Sequence, residues 1–129
     1  MNGKYLLDTN VVIAFLIKDE SVIDRPAPQD QLYVSSTIIG ELFYGAFNSG
    51  MVEENCNRVE YFIRDTSTVA CDTDTARIYG QVKTSLRKQG RPIPDNDIWI
   101  AAVARQYGLT LVTRDEHFNH VDDLNLVRW

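Results

Sequence analysis

A chain of 129 residues, 44% hydrophobic and 24% charged, is long enough to bury a core without disulfides or structural metals and too apolar to be disordered. Its longest apolar run, Val11 to Ile17, is far short of a membrane span, and no basic, apolar, small-residue leader opens it, which predicts a cytoplasmic protein with no membrane contact. A net charge of −5 argues against non-specific nucleic-acid binding unless cations neutralise clustered acids or basic residues gather on one face.

In chain order, the pattern predicts a strand at 4–7, a helix at 10–18 and a surface loop from Lys18 to Gln31, where Pro26 and Pro28 sit among charges. A strand at 32–35 and helices at 36–48 and 51–64 follow. Next come a strand at 68–71 and a helix at 73–89, with Asp72 as its cap and Gly90 and Pro92 as its stop. A deeply buried helix at 95–107, a strand at 109–113, a short turn or helix at 115–119 and a strand at 124–128 complete the chain. Cys56 and Cys71 lack CxxC neighbours and read as reduced thiols. No repeat or linker divides the sequence, so residues 1–129 are expected to form one domain. Strands alternating with helices indicate an α/β fold with a central, mostly parallel sheet flanked by helices in three layers.

Open α/β sheets bind ligands at the carboxyl ends of their strands. Asp8 follows the first strand directly, between "KYLL" and "VVIAFL", where it could also serve as a helix cap. Asp115 follows "LTLVT". The helix at 95–107 feeds that strand through a tight turn, so its start, with Asp95 and Asp97, returns to the same edge. Glu41 lies near the beginning of the helix after the second strand. It is set among Ile38, Ile39, Leu42 and Phe43, with no Lys or Arg between Lys18 and Arg58 to pair with it. Clustered carboxylates repel unless a cation joins them, and hard oxygen donors suit Mg²⁺ or Mn²⁺. Zinc is poorly supported, because the two histidines, His117 and His120, lack thiolate partners and read as loop residues. Such a metal site suits phosphodiester hydrolysis but does not by itself specify RNA.

Four segments, in order and correctly spaced, resemble the PIN-domain family, and within it the VapC-type toxins of toxin–antitoxin pairs. They are "LLDTN", "ELFYG", "NDIWIAAVA" and "LTLVTRDEHF" with its continuation "LNLVRW". The resemblance implies a Mg²⁺- or Mn²⁺-dependent endoribonuclease acting on transfer or ribosomal RNA. It maps the core metal ligands onto Asp8, Glu41 and Asp97, and places Asp115 at a fourth position where relatives often carry Asn. Thr9 and Thr113 would be hydroxyls that orient carboxylates or water, Asn10 a helix starter, and Asp95 a cap or auxiliary acid. It further implies a homodimer and a small cognate antitoxin whose basic tail occupies the acidic groove. Lys83, Arg87, Lys88 and Arg91 are the candidate RNA contacts. Two other readings remain open: a catalytically silent PIN binding module, and a receiver-like phosphoacceptor with Asp72 as acceptor. The receiver lacks support from paired acids after the first strand or a late strand-end lysine.

Overall fold

The structure, a computed structural model, describes residues 3–129. Its elements are β1 (Lys4–Leu7), α1 (Thr9–Leu16), α2 (Glu20–Ile23), β2 (Gln31–Ser35), α3 (Ser36–Phe47), α4 (Val52–Arg64), β3 (Ser67–Val69), α5 (Thr73–Lys88), α6 (Asp95–Tyr107), β4 (Thr110–Val112) and β5 (Leu126–Val127), with a 3₁₀ turn at Glu116–His120 before β5. The five strands form one parallel sheet in the order β3-β2-β1-β4-β5. β1 is central because it pairs on both sides, Tyr5 lying beside Leu32 and Thr110. Leu6, Leu7, Val34, Leu111 and Val112 are fully buried, each contributing roughly 1.5–3 kcal/mol by leaving water.

The buried sheet dictates the helices around it. α6 hides Ile98 and the whole run Ile100–Ala104, which explains why "DIWIAAVA" carries no polar face. It stops at Gly108, whose φ of 63° is the left-handed conformation that closes the last turn. The Leu109 N–H then reaches back to the Ala104 carbonyl at 2.9 Å. α5 ends in the same way, with Gly90 at φ 69° and Arg91 N–H on the Leu86 carbonyl. α5 and α6 pack together as an antiparallel pair, so the end of α5 lies near the start of α6 and hence near the strand-end rim.

Three expectations change in detail. The segment read as a loop between Lys18 and Gln31 contains α2, capped by Asp19 accepting from Ser21 N–H and anchored by fully buried Val22. The residue that starts α1 is Asp8, not Asn10: the carboxylate accepts from the Thr9 N–H at 2.8 Å, and Asn10 lies inside the first turn. The last strand shrinks to Leu126–Val127, because only two of its residues pair with β4.

Candidate active site

The carboxyl ends of β1 and β4 are adjacent, and this adjacency builds the site. Asp8 continues β1: its N–H donates to the Val112 carbonyl at 3.0 Å while its carboxylate turns toward β4. There Thr113 Oγ1 donates to Asp8 Oδ2 at 2.7 Å and accepts from the Asp115 N–H at 3.0 Å. One hydroxyl thus ties together two acids that are 107 positions apart. Asp8 is 5% exposed and Thr113 6%, so this junction is shielded from water.

Glu41 enters from α3. The cost of placing an acid in that apolar helix is offset from another element, since Thr9 Oγ1 at the start of α1 donates to Glu41 Oε1 at 2.8 Å. Asp97 enters from the first turn of α6, half-buried, and Asp115 from the loop after β4. Asp115 also caps the 3₁₀ turn by accepting from the His117 N–H. That bond swings the imidazole back over the rim, where Nδ1 is 2.9 Å from Asp97 Oδ2 and 3.1 Å from Asp115 Oδ2.

The electrostatics are those of crowded acids. Burial raises Asp8 above the ordinary carboxylate value against the hydrogen bonds from Thr113 and Thr9, and the neighbouring charges of Glu41 and Asp115 add to the rise. Burial also raises Asp97, with Asp8 and Asp115 adding and the His117 hydrogen bond opposing. His117 is raised in turn, first by its hydrogen bond to Asp97 and then by the charge of Asp115. Asp8, Glu41, Asp97 and Asp115 therefore share one rim.

The remaining candidates lie elsewhere. Asp95 does not cap α6, whose cap position is Pro94. It instead meets Lys83 Nζ and the Tyr79 hydroxyl, both at 3.0 Å, and these partners lower its pKa. Lys83 is thereby engaged with an acid, and Arg91 meets His120 at 3.1 Å, while Arg87 and Lys88 are exposed on the last turn of α5. Asp72 caps α5 in a reciprocal bond with Thr75 and accepts from Gln106 near the end of α6, the opposite end of that helix from Asp97. His117 was read as a loop residue and instead points into the site. Its spacing two residues after Asp115 is the local signal, since a side chain that accepts from the i+2 N–H forms a compact turn.

These features define a class: a parallel α/β domain with a carboxylate site at the carboxyl ends of its central strands. The PIN domain profile matches residues 5–124. Relatives span nearly the whole chain. The tRNA(fMet)-specific endonuclease VapC of Shigella flexneri is 37% identical over 130 residues, covering 98% of each chain. Ribonuclease VapC2 of Haemophilus influenzae is 36% identical over 129 residues with the same coverage. Among solved structures, VapBC2 of Rickettsia felis bound to a DNA fragment from its promoter superposes with a TM-score of 0.89 at 27% identity, and VapBC-1 of nontypeable Haemophilus influenzae with 0.85 at 31%, each covering 98% of both chains. This chain belongs to the PIN-domain family and, within it, to the VapC group.

Proposed function

We propose that this chain is the toxin of a toxin–antitoxin pair and acts as a Mg²⁺- or Mn²⁺-dependent endoribonuclease on structured RNA. The observation that carries the reading is the convergence of Asp8, Glu41, Asp97 and Asp115 from four elements onto one rim. The donor set fits a hard divalent cation: it is rich in carboxylate oxygen, and burial and mutual repulsion raise two of its acids, so a positive charge there relieves the penalty. Asp8, Glu41, Asp97 and Asp115 would hold the ion. When bound, it supplies activation of water and stabilisation of the charge developing on the leaving oxygen. Thr113 keeps the Asp8 carboxylate aimed and Thr9 does the same for Glu41, which limits the reorganisation needed when substrate arrives.

Arg87, Lys88 and Arg91, with Lys83 behind them, crown the rim end of α5 and would take RNA phosphates. The name of the Shigella flexneri relative supports transfer RNA as the substrate class. An antitoxin partner is supported by the toxin–antitoxin complexes among the structural neighbours. A groove lined by Ile13, Ile17, Leu42, Ala46 and Val59 opens beside Glu41 and would seat an apolar antitoxin segment whose basic tail reaches the acids. The chain would work as a homodimer in the cytoplasm, and no helix among the described residues is long and apolar enough to cross a membrane.

The deciding experiment incubates antitoxin-free protein with total cellular RNA and Mg²⁺ or Mn²⁺, beside Asp8→Asn and Asp97→Asn, and maps new 5′ ends by sequencing. Discrete cuts that require metal and both aspartates are expected. Folded, metal-bound protein that leaves RNA intact would instead be a silent binding module.

A further inference from the structure

The imidazole of His117 stands among the rim carboxylates yet has no part in the oxygen set just described. Its Nδ1 approaches Asp97 at 2.9 Å and Asp115 at 3.1 Å, although those acids belong to different elements. Around an octahedral cation with metal–ligand distances of about 2.1 Å, neighbouring donors are about 3.0 Å apart and opposite ones about 4.2 Å. Both N···O separations match the shorter spacing, and the three donor atoms lie within 4.8 Å of one another. The ring is held in place from its own backbone, since the His117 N–H donates to the other oxygen of Asp115 at 2.9 Å. Asp8 and Glu41 are held separately, by Thr113 and Thr9. The side chain of His117 is 51% exposed, which leaves an open side for water or a substrate oxygen.

We propose that Asp97, Asp115 and His117 form a mixed oxygen–nitrogen subsite that selects a divalent transition metal, Mn²⁺ over Mg²⁺. This deepens the proposed acidic metal site and rests on it. The selection follows from the donor: imidazole nitrogen suits first-row transition metals, whereas Mg²⁺ holds to carboxylate, carbonyl and water oxygen. The competing role for the ring is a tether that hydrogen-bonds the two carboxylates and touches no metal.

The test adds Mn²⁺ alone to the metal-stripped 129-residue chain and reads binding by calorimetry and pulsed electron paramagnetic resonance. The sequence has two histidines, so the assignment is direct. Imidazole nitrogen modulation is expected in the wild type, lost in His117→Gln and retained in His120→Gln. His117→Gln should weaken Mn²⁺ by about tenfold or more and change Mg²⁺ less than about twofold. Mn²⁺ that binds in an Asp8-dependent way without nitrogen coupling, or a variant that loses both metals equally, overturns the subsite and leaves the oxygen-only reading standing. A folded wild-type chain that binds neither metal overturns both.

Discussion

Asp8 does three jobs with one carboxylate: it caps α1, accepts from Thr113, and faces Glu41 and Asp115. Its pKa is raised from 3.8, so between that value and the raised one the folded chain holds a proton that the unfolded chain has released. Stability therefore falls as pH rises through that window, and the deficit is complete above it. In chelator, Asp8→Asn should gain stability relative to wild type as pH climbs from about 4 to neutrality, measured by urea unfolding at each pH. A gap that stays flat or narrows with pH would mean that burial does not penalise this acid. Thr113→Val tests the other end of the same bond. Removing the hydroxyl leaves the Asp115 N–H without its partner and Asp8 Oδ2 with only the longer contact from Asn10 Nδ2 at 3.5 Å, at a cost of about 1–3 kcal/mol, while Thr113→Ser should keep both bonds. At this scale the positions of the acids were legible in the sequence, because Asp8 and Asp115 follow strands, Glu41 stands among apolar neighbours, and the tight turn after the helix of Asp97 returns its start to the same edge. His117 was not, because although its turn is set locally by Asp115, its ring meets Asp97 only once that turn is folded against the start of α6.

The elements were mostly legible from period and punctuation. "DIWIAAVA" and the Ile78–Leu86 stripe announce α6 and α5, and Gly90 and Gly108 mark their ends. α2 escaped because four residues are too few to show a helical period, leaving only the Asp19 cap and Val22 as signals. Gly108→Ala has open space for a methyl group, so its cost is conformational, about 1–2 kcal/mol from the left-handed backbone, and thermal unfolding should show a drop of several degrees. Asp72→Ala should lower the unfolding midpoint by undoing the α5 cap and leave RNA cleavage unchanged. Loss of cleavage in that variant, with the fold intact, would return Asp72 to the chemistry.

For the whole molecule, the −5 charge and the acidic rim make stability dependent on what neutralises them. A divalent ion at 100 times its dissociation constant should stabilise the wild type by about 2.7 kcal/mol, seen as a higher melting temperature, and leave Asp8→Asn nearly unmoved. The parallel α/β class was legible because strands alternating with helices need crossover connections, whereas the strand order β3-β2-β1-β4-β5 was not, since right-handed crossovers narrow the orders without choosing one. The groove beside Glu41 was not, since it gathers residues from α1, α3 and α4 whose mutual packing no local pattern reveals.

The tie between Thr113 and Asp8 also sets a schedule. Synthesis makes Asp8 and Glu41 before β4, Thr113 and Asp115. The rim is therefore incomplete until β4 has been made and has paired with β1, because only then does the Thr113 hydroxyl meet the Asp8 carboxylate. A chain interrupted before Thr113 carries the first acid without the group that aims it.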